Sequence, residues 1–273
     1  MNANDSRGSM EQKRWIWVTG ATSGIGRALS KRLSENGHMV LISGRNEGVL
    51  KEMEVSHANM RAIPFDVTES EAIERVRSSI SGYTDRLNAV YVNAGNCEYL
   101  DLACPDWSMA KRIMDVNYLG AVNTLAVAMP LLHRQAFEFE QSDRKASSDK
   151  PHIVGISSLA MLVPFSKAEV YGASKAALSY FLKSLRMDLR ASHIDVTEVL
   201  PGFVTTPLTS KNTFNMPFVM SAEEAALRIV QGVRSRPRTF AFPKRLFWLL
   251  RLWSHLPALW ERLMSPKNIT PVN

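Results

Sequence analysis

Trp15-Ile16-Trp17-Val18 runs into Thr19-Gly20-Ala21-Thr22-Ser23-Gly24-Ile25-Gly26 and then into Arg27-Ala28-Leu29-Ser30-Lys31-Arg32-Leu33. The first four residues form a short apolar run, as a buried strand does, and the last seven carry apolar residues at i, i+1 and i+5, as a helix does. Glycines at such a junction let backbone N–H groups at the positive end of the helix approach a pyrophosphate. The spacing is Gly-x-x-x-Gly-x-Gly and not Gly-x-Gly-x-x-Gly. Taken alone, it reads equally well as a tight strand-to-helix turn.

Outward from this stretch, apolar strand-like runs recur at 15–18, 39–43, 61–65, 87–92, 153–157, 194–200 and 239–242, separated by segments of helical periodicity. Such alternation predicts a doubly wound α/β fold whose mostly parallel sheet is covered on both faces, with ligands at the carboxyl ends of the strands. The 273 residues suit one domain, placed at 10–243, followed by a tail at 244–273. Met1 to Ser9 are polar, lack the apolar core of a secretory signal and read as an added or alternative start. Hydrophobic residues at 45% and charged residues at 22% are ordinary for a globular protein and name no function.

Chemistry enters with Tyr171-Gly172-Ala173-Ser174-Lys175 and with Ser158, thirteen residues before the tyrosine. Residues i and i+4 share a helix face, so an ammonium can lie beneath a phenol and stabilise its phenolate. A hydroxyl with an ordinary pKa of about 10 would then exchange protons nearer neutrality. A Tyr-x-x-x-Lys alone is usually a solvated helix face, Ser158 alone a turn residue, and Asn117 alone a plain helix residue.

In order along the chain stand Thr19 to Gly26, Asp66-Val67, Asn93-Ala94-Gly95, Asn117, Ser158, Tyr171 with Lys175, and Pro201-Gly202 with Thr205. With these seven ordered signals, the chain over about 14–208 resembles the short-chain dehydrogenase/reductase family. One departure is Val92, where the family more often has an asparagine. The resemblance implies a seven-stranded sheet of Rossmann type and a nicotinamide-dependent oxidoreductase acting on a carbonyl or an alcohol. It implies Tyr171 as proton donor or base, Ser158 as hydrogen-bond partner of the same substrate oxygen, and Lys175 as the group that lowers the Tyr171 pKa and holds the nicotinamide ribose. It also implies a helix kinked at Asn117, with a water relaying protons to the lysine. For the cofactor it implies Gly20, Thr22, Ser23, Gly24, Ile25 and Gly26 at the phosphates, Asp66 and Val67 at the adenine, and Asn93, Ala94 and Gly95 along the adenosine. Pro201, Gly202, Val204 and Thr205 would then border the nicotinamide. A homodimer or homotetramer is the expected assembly.

The end of the second strand decides between the two nicotinamide cofactors. Leu41-Ile42-Ser43-Gly44-Arg45-Asn46 puts Gly44 where NAD-preferring relatives carry an acid, and Arg45 just after it. A guanidinium suits a 2′-phosphate, so NADP(H) is expected over NAD(H), with an ordinary solvated arginine as the alternative.

The remaining residues mostly exclude. Cys97 and Cys104 stand in no CxxC, and no His-Glu-x-x-His or His/Cys cluster is present, which predicts metal-free chemistry and a cytoplasmic compartment. A net charge of +7 comes with no nucleic-acid recognition motif, so no nucleic acid is expected as a partner. Leu159, Met161, Leu162, Val163 and Phe165, with Phe214, Met216, Phe218 and Met220, would line an apolar pocket for a hydrophobic carbonyl or alcohol, or else merely pack. The charged, Ser-bearing stretch 134–150 reads as a solvated loop.

In the tail, Leu249, Leu252, Trp253, Leu256, Trp260 and Leu263 share one helical face, opposite Lys244, Arg251, His255 and Arg262. Pro257 divides the segment, which is too short and too interrupted to span a bilayer. Peripheral membrane contact through 244–264 and packing on the protein or a partner stand side by side. Two functions follow: a carbonyl reductase or alcohol dehydrogenase on an apolar substrate, or a nucleotide-sensing interaction protein that keeps the fold and binds through its tail.

Overall fold

The computed structural model describes residues 14–142, 149–209 and 216–265, so Met1 to Ser9, residues 143–148 of the 134–150 stretch and Phe214 lie outside the described residues. The chain forms β1 (Trp15–Thr19), α1 (Gly24–Glu35), β2 (Met39–Ser43), α2 (Glu47–Ser56), β3 (Met60–Ala62), α3 (Ile73–Ser81) and β4 (Ala89–Val92). There follow α4 (Met109–Met114), a π-helical turn (Asp115–Leu119), α5 (Gly120–Gln141), β5 (His152–Ile156), α6 (Glu169–Asp188) and β6 (Asp195–Pro201). The chain continues through β7 (Val204–Thr205), β8 (Met220–Ser221), α7 (Ala222–Gly232), β9 (Thr239–Phe242), α8 (Lys244–Trp253) and α9 (Pro257–Met264).

Seven strands make one parallel sheet in the order β3-β2-β1-β4-β5-β6-β9, and β7 pairs with β8 apart from it. Each apolar run expected as a strand holds one, though the run at 61–65 overlaps β3 (Met60–Ala62) at only two residues and that at 87–92 narrows to Ala89–Val92. Successive strand residues face opposite sides, so both faces must be apolar. Val18, Ile42, Tyr91, Val154 and Val199 belong to the core that also holds residues of α1, α2 and α7. Trp17, Leu41, Val90, Ile153 and Val196 belong to the core shared with α3, α5 and α6. Trp17 is fully buried, and its indole N–H donates to Ser43 Oγ at 2.8 Å, whose hydroxyl donates in turn to the Ile63 carbonyl. The strand order reverses between β1 and β4, which opens a crevice at their carboxyl ends.

One segment differs from expectation. Residues 134–141 are not loop but the last two turns of α5, because Leu132, Ala136 and Phe139 continue its buried stripe beneath the charged residues. Ion pairs Arg86–Glu138 and His193–Glu140 flank it.

The tail also resolves. Helices α8 and α9 close a third core of Leu159, Val163, Leu200, Leu246, Leu250 and Trp260. The Trp260 indole donates to the Pro164 carbonyl at 2.7 Å and meets Phe165 edge-on at 5.6 Å. Trp260→Ala is therefore expected to lower the unfolding free energy by roughly 3–5 kcal/mol in urea titrations. Trp248, which is 65% exposed, is expected to tolerate the same change within about 0.5 kcal/mol.

Candidate active site

The crevice is built where β1 ends. Gly20 has φ +66°, and a Cβ there would sit 2.8 Å from Ala94 Cα, while a Cβ on Gly26 would meet the Gly20 carbonyl at 2.1 Å. Only glycine lets the three backbone stretches approach this closely. Asn93 Nδ2 ties them together, donating to the Thr19 and Gly20 carbonyls at 3.0 and 3.3 Å, and Thr19 Oγ1 accepts from Asn93 N at 3.2 Å. Helix α1 starts directly on this turn with no acidic residue in its first turn and no side-chain cap from Ser23. Its leading N–H groups lack intrahelical partners and carry the positive end of the helix dipole, which suits a diphosphate.

Further along the crevice, Gly44 is buried and a Cβ there would meet Thr22 Cγ2 at 2.8 Å, so the position admits no acid. Arg45 lines the rim, exposed and without a hydrogen-bond or ion-pair partner among the described residues. Asp66 accepts from Thr68 N and Oγ1, which holds the Asp66-Val67 corner at the edge of the crevice.

At the other end stand Ser158, Tyr171 and Lys175. Asn117, in the π-helical turn, is fully buried behind them. Its Oδ1 accepts from Asn96 N at 2.7 Å, and its Nδ2 donates to the Asn96 carbonyl and to Ser174 Oγ at 2.9 and 2.8 Å. Ser174 donates to the Tyr171 carbonyl. Asn117 thus joins the loop after Asn93-Ala94-Gly95 to the helix bearing tyrosine and lysine. Lys175 Nζ donates to the Ile156 carbonyl at 3.0 Å, and Ser157 Oγ donates to the Lys175 carbonyl at the same distance.

Burial governs the charges here. It pushes the Tyr171 hydroxyl up to about 12, with the Ser158 hydrogen bond acting the other way, and pushes the Lys175 ammonium down to about 8. The surrounding chain thus raises the phenol pKa, opposite to the expected lowering, since desolvation opposes a buried anion and a buried cation alike. Burial likewise pushes up the thiol of Cys97, half-buried nearby.

Of the residues expected to form the site, all but two line this crevice. Asn117 lies behind it. Thr205 is exposed and lines only an adjoining groove, with Arg27, Lys31 and Ser221, whereas Thr206 lines both that groove and the crevice. Adjacent residues of an extended segment face opposite ways, and spacing from Pro201-Gly202 could not choose between neighbouring threonines. Thr209 was also missed; it donates to the Val204 carbonyl at 2.6 Å and fixes the turn. Leu159 and Val163 do not line the crevice but pack under the tail, with Met161, Leu162 and Phe165 against them, and Met220 is buried beside α7. No group of three or more His, Cys, Asp or Glu among the described residues could hold a metal.

Residues 14–216 match the short chain dehydrogenase family model. An oxidoreductase of uncharacterised activity from Myxococcus xanthus is 33% identical over 89% of this chain and 93% of that protein. The NADPH-dependent 1-acyldihydroxyacetone phosphate reductase of Schizosaccharomyces pombe is 29% identical over 74% of this chain and 64% of that protein. In fold, the chain matches a Burkholderia cenocepacia short chain dehydrogenase, crystallised in complex with NADP, at TM-score 0.77 and 22% identity, over 93% and 98% of the two chains.

Because the Lys175 pKa falls on folding, the unfolded chain binds the extra proton, and the buried ammonium destabilises the fold below about pH 8. Lys175→Met is expected to raise the unfolding free energy at pH 7 by about 1–3 kcal/mol. The gap is expected to shrink as pH climbs from about 8 towards 10.5. Urea titrations across that window check it, and a variant less stable than wild type would contradict it.

Proposed function

The chain belongs to the short-chain dehydrogenase family, and on that premise we propose that this oxidoreductase uses NADP(H) to interconvert a carbonyl and an alcohol on an apolar substrate. The crevice fits the cofactor: a glycine turn that no side chain could enter, an uncapped helix start, and an arginine beyond it. The observation that carries the NADP(H) reading is Arg45, unpaired at the rim, beside a Gly44 whose surroundings leave no room for a competing acid. The S. pombe relative is NADPH-dependent and the B. cenocepacia neighbour binds NADP, which supports the same choice.

Bound nicotinamide supplies or accepts the hydride. Tyr171, protonated at neutral pH, donates its proton to the carbonyl oxygen as charge develops there, and Ser158 donates a hydrogen bond to the same oxygen. Lys175, charged below about pH 8, orients the ribose and stabilises the phenolate left behind, and Asn117 holds Lys175's helix against the Asn96 backbone.

The apolar reading rests on the crevice wall formed by Pro201, Gly202, Val204 and Thr206 to Thr209, in which no residue is charged. The 1-acyldihydroxyacetone phosphate for which the S. pombe reductase is named carries an apolar acyl chain beside its phosphate, and that chain is in keeping with such a wall. Exposed Leu119, Phe137, Tyr180 and Met187 on or beside the outer helices α5 and α6 favour a homo-oligomer.

Tyr171→Phe is expected to lower kcat for NADPH-linked reduction of medium- and long-chain aldehydes and ketones by at least about 10²-fold, with NADPH affinity unchanged. Retention within a few-fold would remove Tyr171 from the role of acid. Arg45→Asp is expected to erase or invert the ratio of kcat/KM for NADPH over NADH, an effect of about 2–3 kcal/mol. An unaltered ratio, or a wild type that prefers NADH, would overturn the cofactor assignment.

A further inference from the structure

Helices α8 and α9 have two faces. The inner one is committed, with Leu246, Leu250 and Trp260 buried over the segment that follows Ser158. On the outer one, Trp248, Leu252, Leu256, Leu259, Leu263 and Met264 are each between 45 and 65% exposed. They gather in a stretch of only 17 residues, Trp248 and Leu252 one turn apart on α8, Leu256 at the junction, and Leu259, Leu263 and Met264 on α9. A soluble surface rarely gathers so many large apolar side chains without a partner.

Charge selects the partner. Lys244, Arg245, Arg251 and Arg262 flank these side chains, none with an ion-pair partner among the described residues, and Glu261 is the sole acid from 244 to 265. A twofold contact between copies would set this cation cluster against itself, whereas lipid phosphates neutralise it. Neither helix can cross a bilayer, since α8 has 10 residues and α9 has 8, but tryptophan, leucine and lysine or arginine together suit the headgroup boundary.

We propose that the outer face of α8 and α9 docks on the surface of an anionic bilayer, with Trp248, Leu252, Leu256, Leu259 and Leu263 in the acyl boundary and the four cations among the headgroups. Because the inner face roofs the segment after Ser158, a docked enzyme holds that segment one helix layer from the lipid. Docking itself does not rest on the catalytic reading.

The test is co-sedimentation of the full-length protein with vesicles of phosphatidylcholine alone or mixed with phosphatidylglycerol, at low and high salt. Partition is expected to be about tenfold or more stronger on the phosphatidylglycerol vesicles and to fall with salt. Leu252→Ser with Leu259→Ser and Leu263→Ser, or Lys244→Glu with Arg251→Glu, is expected to lower it about tenfold. Thermal melting and NADPH-linked turnover of a short soluble aldehyde are expected to stay at the wild-type level. Independently of any variant, brominated phosphatidylglycerol is expected to quench wild-type tryptophan fluorescence. Absent vesicle binding and absent quenching would overturn the proposal. So would a wild-type oligomer that the serine variant dissociates without any lipid binding, which would assign the face to a second copy. Turnover lost with vesicle binding intact would count against the catalytic reading alone.

Discussion

Three stretches of backbone meet at the carboxyl end of β1 more closely than any side chain would allow. Gly20 lies against Ala94, Gly26 against Gly20, and the Asn93 amide bridges the strand ends. The contact presses the start of α1 into the gap between β1 and β4, where the strand order reverses, and so places unsatisfied N–H groups on the crevice floor. Every other part of the site is positioned relative to it. Asn117 carries the alignment from the Asn96 backbone to α6, and the Ile156 carbonyl receives the lysine that α6 brings in.

The local pieces were legible because local chemistry decides them. Parallel strands buried on both faces read as unbroken apolar runs, and all seven appeared where Trp15 to Val18, Met39 to Ser43 and their counterparts placed them. The site residues were legible through ordered spacing, which a single motif would not have supplied. Misreadings arose where a partner lay far off in sequence or a single residue's orientation mattered. The last turns of α5 carry enough charge to resemble loop, yet Ala136 and Phe139 bury against elements the sequence does not place beside them. Leu159 and Val163 read as substrate-lining until α8 and α9 close over them, a contact between segments about ninety residues apart. Thr205 and Thr206 differ only in which way each faces.

Stability and chemistry oppose each other at the reacting end. A phenol and an ammonium are both taken out of water, and each is pushed towards its neutral form. The fold tolerates this because Asn117, Ser174 and Ser157 satisfy the polar backbone around them. A site packed for stability alone would carry an apolar side chain in place of Lys175.

The tie between Trp260 and the Pro164 carbonyl has a consequence for how the molecule is made. A ribosome delivers the sheet, the glycine turn and the Ser158, Tyr171 and Lys175 set well before it delivers α9. Until α9 emerges, the apolar floor formed by Leu159, Val163 and Phe165 is covered only by Leu246 and Leu250 of α8, and the nascent chain carries a partly bare apolar patch beside the crevice. A chain cut short before residue 257 would lack Trp260 and so leave this apolar floor partly uncovered, however well its sheet has formed.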